Sequence, residues 1–341
     1  MTKLLVLVTG AGGFLGRSLC AALLDEGLSV LAIFISREEV DTSSGIFNRQ
    51  NYNYEICDVR DGNQVSSIFK RHDVSIVFHL AAIALQDIAL ESPAECIDTN
   101  VNGTCNVMEA CRKYAKNIRM VVLASTDKVY GDAPHLPYTE EMPLLARNPY
   151  DVSKVCAELV ARTYSFSYEI PLAILRFSNI YGASDDNIRR LIPGTVSRLS
   201  CGQKPIIRIP YADSEFYRDY LYIDDAINAM LQVVRQNPID ALNGQVFNIG
   251  TNAMWSTTEI VKLLKELLNA THIGNEIYIV GNTEIWKQQM SFERAKIFLG
   301  WEPRHSLIEG LKLTLEQWNI LSNTCNPLAH ESPQTTLNAR N

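Results

Sequence analysis

Leu4-Leu5-Val6-Leu7-Val8-Thr9-Gly10-Ala11-Gly12-Gly13-Phe14-Leu15-Gly16 reads as strand, glycine turn and helix. Leu4–Val8 is a short apolar run of strand formers, and an apolar helical pattern continues through Leu19, Ala22 and Leu23. This context makes the glycines a dinucleotide fingerprint. Gly10 allows the tight turn, Gly13 lets backbone approach a pyrophosphate, and Gly16 permits close helix–strand packing. Phe14 and Leu15 open the helix, whose N-terminus favours anionic phosphate. The spacing is G-x-x-G-x-x-G rather than G-x-G-x-x-G.

Strand and helix patterns then alternate. Ser29–Ile35, Tyr54–Cys57, Ser75–Leu80, Met120–Ala124 and Leu172–Phe177 read as strands with helical stretches between them. Such alternation means an α/β fold, a Rossmann-type, doubly wound parallel sheet. After Phe177 turn residues and charges become denser, and helices are expected at Leu191–Ser200, Asp224–Gln236, Thr258–Asn269 and Leu307–Leu321. The expected division is a dinucleotide-binding domain carrying the catalytic residues over 1–177 and a smaller C-terminal substrate-binding lobe over 178–325. From that lobe the chain can return to the sheet. The polar, aperiodic stretch 326–341 is expected to be a disordered tail.

The chemistry-bearing residues are Ser125-Thr126-Asp127-Lys128 and Tyr150-x-x-x-Lys154. Tyr150 and Lys154 share one helix face one turn apart. A nearby ammonium group favours the phenolate, making Tyr150 a usable base near neutral pH. A net charge of −7 over 341 residues argues against a nucleic-acid or anionic-membrane partner. The eight cysteines contain no C-x-x-C pair, and the six histidines show no metal-ligand spacing. No metal is expected. The leading apolar run is too short for a signal peptide, no run reaches transmembrane length, and the thiols suit a reducing compartment; the expected location is cytoplasmic.

Together these residues resemble the extended short-chain dehydrogenase/reductase family from Lys3 to about Leu321. Asp58-Val59 matches its adenine-contacting position, and His79-Leu80-Ala81-Ala82 its cofactor-side strand motif. Asn100-Val101-x-Gly103-Thr104 matches the segment supporting the active-site helix. Arg176-Phe-Ser-Asn179-Ile-Tyr-Gly182, Arg218-Asp219-Tyr-Leu-Tyr-Ile-Asp224-Asp225 and Leu299-Gly300-Trp301-x-Pro303 match later signatures. The resemblance implies a homodimer built through helices near Asn100–Tyr114 and Tyr150–Tyr168, and a nucleotide-diphosphate sugar substrate. It also implies cofactor contacts from Gly10, Gly13, Phe14, Leu15, Gly16, Asp58, Val59, Leu80, Ala81, Ala82, Asn100, Tyr150 and Lys154. Substrate contacts are expected from Thr126, Asn179, Arg190, Arg208 and Arg218. The other reading of Arg218 is an ion pair with Asp219 or Asp225.

Within the family, an acid after the catalytic Ser/Thr resembles nucleotide-sugar 4,6-dehydratases rather than epimerases. Thr126-Asp127-Lys128, Asp186–Pro193 and Ile206–Pro210 are most similar to the CDP-glucose 4,6-dehydratases. Phe216-Tyr217-Arg218-Asp219 stands where that group carries Pro-Trp-Gln-His, which leaves the nucleotide base open. The implied chemistry is removal of the 4-hydroxyl proton by Tyr150, assisted by Thr126 and Lys154, with hydride passing to the nicotinamide. Asp127 then protonates the departing 6-hydroxyl, Lys128 takes the C5 proton, and hydride returns to C6. The alternatives are a nucleotide-sugar 4-epimerase and a non-catalytic cofactor-binding regulator. The cofactor is read as NAD. Phe34 stands where an acid would hold the ribose 2′-hydroxyl, and Arg37 just beyond could accommodate the 2′-phosphate of NADP.

Overall fold

The computed structural model describes residues 4–42, 49–236, 242–281, 284–318 and 320; the segment 326–341 lies outside the described residues. In the first half, β1 (Leu5–Thr9), α1 (Phe14–Asp25), β2 (Ser29–Phe34), α2 (Arg37–Thr42), β3 (Tyr52–Ile56), α3 (Gly62–Arg71) and β4 (Ile76–His79) follow in order. Next come α4 (Gln86–Glu91), α5 (Pro93–Ile97), a turn of π-helix at Asp98–Asn102, α6 (Gly103–Tyr114), β5 (Met120–Thr126), a 3-10 turn at Asp127–Tyr130, α7 (Pro149–Tyr168) and β6 (Leu172–Phe177). The second half runs β7 (Asn179–Tyr181), α8 (Leu191–Ser200), β8 (Ile206–Ile209), β9 (Tyr217–Arg218), β10 (Tyr220–Tyr222), α9 (Ile223–Arg235) and β11 (Gln245–Ile249). It ends with β12 (Trp255–Ser256), α10 (Thr257–Leu267), β13 (Glu276–Ile279), α11 (Glu293–Leu299) and α12 (Leu307–Gln317).

The main sheet has the order β11-β6-β5-β4-β1-β2-β3 and every pairing in it is parallel. Residues alternate between its faces with period two. Val6 and Val8 pack with Leu19, Leu23, Phe78 and Val122 on one face. Leu7 packs with Leu31, Val77, Val121, Val107 and Met108 on the other. Burial on both faces explains why β1 and β4 are continuous apolar runs. The sixth strand is Leu172–Phe177, as the apolar run indicates, and the chain later returns with β11 beside it. Asn248 of β11 ends up fully buried.

The later helices start where side chains cap them. Ser256 with Glu259 and Ser306 with Glu309 form capping boxes, each satisfying two otherwise orphaned amides. Pro149 occupies the first turn of α7, where its missing N–H loses no bond. Gly300 ends α11 at φ +64°, and the following Trp301 is buried with its indole nitrogen donating to the Asp225 carbonyl at 3.0 Å. Small two-stranded pairs, β10-β7, β12-β9 and β13-β8, gather beyond β6.

A buried polar network ties β5 and β6 to α7. Arg176 and Glu158 are both about fully buried and pair at 2.6 Å. Ser125 Oγ donates to Glu158 at 2.5 Å, Arg176 Nη1 donates to the Tyr130 hydroxyl at 2.7 Å, and that hydroxyl donates to Asn248 Oδ1 at 2.7 Å. Breaking such a pair leaves one charge stranded, so Glu158→Ala should destabilise the fold by about 3–5 kcal/mol. A urea midpoint shift worth less than about 1 kcal/mol, the range of an exposed pair, would contradict this.

Candidate active site

The carboxyl ends of β1, β4, β5 and β6 open into a cavity of about 1250 Å3. This is where open parallel sheets bind ligands. The glycine turn forms one end. Gly10 has φ +68°, and a Cβ there would lie 2.8 Å from the Ala81 amide nitrogen. Gly16 leaves no room for a Cβ against Gly10 and Ala11. A Cβ on Gly13 would meet only the Gly10 carbonyl, at 3.3 Å, so the turn's outer side stays open to a ligand. Thr9 Oγ1 accepts from the Leu80 and Ala81 amides at 3.1 and 3.2 Å and bonds the fully buried His79 ring at 2.8 Å. That hydroxyl holds the β4 loop against the glycine turn. Burial pushes His79 down to about 3, so the ring is neutral. Gly10, Gly13, Phe14, Leu15, Gly16, Asp58, Val59, Leu80, Ala81 and Ala82 all line the cavity. Asp58 is held by Arg60 at 2.6 Å, which keeps its carboxyl below the usual range.

Asn100 and Arg37 are not among the lining residues. Asn100 accepts from the Ile83 amide at 2.8 Å and donates to Ser153 Oγ at 2.8 Å, stapling the β4 loop to α7. Arg37 lies on the surface, paired with Asp41 at 3.3 Å and donating to the Tyr54 hydroxyl at 2.9 Å. Glu39 faces the cavity instead. Its carboxylate accepts from the Ile35 amide at 3.2 Å and crowds Gly12, where a Cβ would collide with it. An acid absent from the end of β2 thus stands at the cavity on α2, a position no strand-end rule inspects.

At the cavity's other end stand Thr126, Asp127, Lys128, Tyr150 and Lys154. β5 ends in Thr126, whose Oγ1 accepts from the Lys128 amide at 3.3 Å and so caps the 3-10 turn. The turn buries Asp127 and leaves its Oδ2 without a hydrogen-bond partner; Oδ1 accepts from Thr126 at 3.1 Å. Burial raises the Asp127 carboxyl, against the opposing charges of Lys128 and Arg218. Tyr150 is raised as well. Burial acts first and the neighbouring Asp151 second, while a Thr126 hydrogen bond and the Arg190 charge oppose them. The expected acidification of the phenol by Lys154 is not seen: the groups opposing its rise are Thr126 and Arg190. Lys154 Nζ donates to the Ala124 carbonyl at 2.5 Å, and burial pushes this lysine down to about 8.

Asn179, Arg190, Arg208 and Arg218 also line the cavity. Arg190 lies 5.5 Å over the Phe14 ring and pairs with buried Asp185 at 3.4 Å, next to the glycine turn. Arg218 pairs with neither Asp219 nor Asp225. Its partner is Glu284 at 2.8 Å, a residue with no signal in the sequence. Asp219 is enclosed by amides of Thr251, Asn252 and Met290, and Asp225 by His305. Among the described residues no helix is long and apolar enough to cross a membrane, and no His/Cys/Asp/Glu group could hold a metal.

A parallel seven-stranded sheet with a glycine cradle leading to a Tyr–Lys pair defines the short-chain dehydrogenase/reductase class. Residues 7–314 match the family model described as GDP-mannose 4,6 dehydratase, and the chain belongs to this extended family of nucleotide-sugar dehydratases and epimerases. It is 29% identical to dTDP-D-glucose 4,6-dehydratase of Homo sapiens over 320 residues, 91% of this chain and 89% of that one. It is 31% identical to a putative UDP-glucose 4-epimerase of Methanocaldococcus jannaschii over 317 residues, 90% of this chain and 96% of that one. The crystal structure of dTDP-glucose 4,6-dehydratase from Bacillus anthracis in complex with NAD matches with TM-score 0.81 at 28% identity, covering 93% of this chain and 97% of that one. These similar proteins divide between dehydratases and epimerases, and none of the three is a CDP-glucose enzyme.

Lys154 has a folded pKa below its unfolded one. The charged form therefore weakens the fold below about pH 8, and the penalty fades as pH rises toward 10.5. Removing it relieves on the order of 3 kcal/mol and forfeits one hydrogen bond of about 1–2 kcal/mol. Lys154→Met should thus match or exceed the wild-type urea midpoint at pH 7. A clear loss of stability there would contradict the burial argument.

Proposed function

We propose that this chain is a nucleotide-sugar 4,6-dehydratase, converting an NDP-hexose to the 4-keto-6-deoxy sugar, with CDP-glucose as the favoured substrate. Asp127 carries the reading. A buried carboxyl with one oxygen unpartnered, facing the cavity beside Thr126 and Tyr150, is suited to hold a proton and deliver it to a departing hydroxyl. An epimerase needs no such group. Thr126 and Tyr150 would orient the 4-hydroxyl and take its proton, with Lys154 fixed behind them. Lys128 would take the C5 proton. Arg218 and Arg208 would meet the diphosphate, an arginine fork being matched to that anion. Asn179 would hold the sugar side of the cavity.

The residues fit a nicotinamide dinucleotide: an open glycine turn, the α1 N-terminus, Arg190 beside it, and Asp58 at the adenosine end. When bound, that cofactor supplies a hydride acceptor that returns what it takes, so no outside reductant is consumed. NAD is favoured over NADP because Glu39 would accept from a ribose 2′-hydroxyl and repel a 2′-phosphate. A homodimer through α6 and α7 accords with Leu159, Phe166 and Tyr168 standing exposed on α7. The seven described cysteines are free thiols, which suits a cytoplasmic setting.

Asp127→Asn should lower turnover of the sugar nucleotide about 10²–10⁴-fold while leaving substrate binding nearly unchanged. Retained turnover to an isomer of unchanged mass would support the 4-epimerase instead. Glu39→Arg should shift the ratio of NAD to NADP affinity by at least about tenfold toward NADP, measured by cofactor titration. An unmoved ratio would sink the role given to Glu39.

A further inference from the structure

Arg218 is fixed by the backbone around it and covered by an acid. Its Nη1 donates to the Tyr217 carbonyl at 2.9 Å and reaches the Trp286 carbonyl at 3.5 Å, and its guanidinium lies 5.2 Å over the Phe216 ring. Its Nη2 donates to Glu284 Oε2 at 2.8 Å. The Arg218 side chain is 7% exposed and that of Glu284 37%, so the acid is the outer member of the pair. Both residues line the main cavity, as does Arg208.

The two partners are carried differently. Arg218 ends β9, and its backbone pairs with Trp255 of β12. Glu284 stands on a bend outside any strand or helix, two residues before Trp286. Trp286 is anchored: its amide donates to Asp132 at 3.0 Å and its carbonyl accepts from the Tyr217 amide at 2.9 Å. Glu284 is therefore the partner that can turn away without disturbing a strand. Burial raises its carboxyl, but the charges of Lys128, Arg218 and Arg208 and the Arg218 hydrogen bond outweigh burial and hold it below the usual range. An ion pair with one half-exposed member contributes little to the fold, so exchanging its anion for another costs little.

Resting on the nucleotide-sugar reading above, we propose that Glu284 is a displaceable gate on Arg218: it holds the arginine's Nη2 until the substrate diphosphate takes that donor, and so selects ligands that carry a diphosphate. Carboxylate and phosphate compete for the same planar guanidinium fork. A diphosphate brings more negative charge and more acceptor oxygens than one carboxylate, and it wins the exchange. A nucleoside or a free sugar carries no anion and meets a closed pair. After the reaction the same acid competes for Arg218 again and helps the product leave.

The size of the effect follows from how often the pair is closed. Apparent affinity falls by the fraction of time Arg218 is free, so a pair closed about nine-tenths of the time weakens a diphosphate ligand about tenfold. The penalty falls on ligands that use Arg218 and on no others.

The test uses the full chain saturated with NAD, so that the cofactor's own pyrophosphate site is filled. Calorimetry then measures binding of CDP, dTDP, UDP and GDP, of the matching nucleosides and of inorganic pyrophosphate. Glu284→Gln keeps the shape of the side chain and removes its charge. It should bind the best NDP about three- to tenfold more tightly than the wild type, and pyrophosphate likewise, with nucleoside binding unchanged. Arg218→Met should weaken NDP binding, and in that background Glu284→Gln should no longer tighten it. This coupling separates a gate from the general field of one fewer negative charge. For an NDP-hexose that the wild type turns over, Glu284→Gln should lower KM without raising kcat. Unchanged NDP binding in Glu284→Gln would overturn the proposal, and so would weaker binding, which would mean that the acid holds the nucleotide itself. Equal tightening with and without Arg218 would overturn it too. Should Glu284→Gln not fold, Glu284→Ala carries the same expectations; if neither folds, the acid is structural and the gate is refuted. A wild type that binds NAD but neither NDP nor pyrophosphate removes the nucleotide-sugar reading and the gate together, whereas NDP binding indifferent to Glu284 removes the gate alone.

Discussion

The buried Arg176–Glu158 pair fixes the site from behind. It joins β6 to α7, and through Ser125 it reaches β5 one residue before Thr126. Through Tyr130 and Asn248 it reaches the 3-10 turn and β11. Desolvation makes such a pair poor value as stability alone, but it is demanding of geometry. The strand that presents Thr126, the turn that presents Asp127 and Lys128, and the helix that presents Tyr150 and Lys154 all take their position from it. Ser125 Oγ is thereby engaged with Glu158, while Thr126 Oγ1 donates to Asp127 at the cavity.

Burial dominates the electrostatics in front of that pair. Tyr150, Asp127 and Asp151 are all raised and Lys154 is lowered, so each is pushed toward its neutral form. Glu284, whose carboxyl is lowered by the charges of Lys128 and Arg218, stands beside them in the cavity. Pairs of titratable groups forced apart in this way are a recurrent arrangement at acid–base sites. The diphosphate of the proposed substrate would meet an arginine already engaged by Glu284.

The β1–glycine–α1 unit and the strands through β6 were legible because parallel strands buried on both faces are written as continuous apolar runs. The later helices were legible from their 3.6-residue period. Leu191–Ser200 coincides with α8, and the others begin within one residue of the expected positions. β11 carried a weaker signal, since Gln245 and Asn248 interrupt its apolar pattern. Asn100 turns its amide to Ile83 and Ser153, and a motif match does not say which way a side chain turns. Glu39 was missed because the acid lies five residues beyond the strand-end position, on α2. Asp151 stood beside Tyr150 in plain sight, but only the fold reveals that it is buried with an oxygen unpartnered. Glu284 meets Arg218 across 66 residues, a contact that no local pattern encodes.

The deciding measurement is the mass of the sugar nucleotide after incubation of purified chain and NAD with CDP-glucose, then dTDP-, UDP- and GDP-hexoses. A product lighter by one water, with the alkaline absorbance of a 4-keto sugar, is the result expected if Asp127 serves as the acid toward the departing hydroxyl. A product of unchanged mass and altered configuration would contradict it and leave an epimerase in which Asp127 and Lys128 have no part.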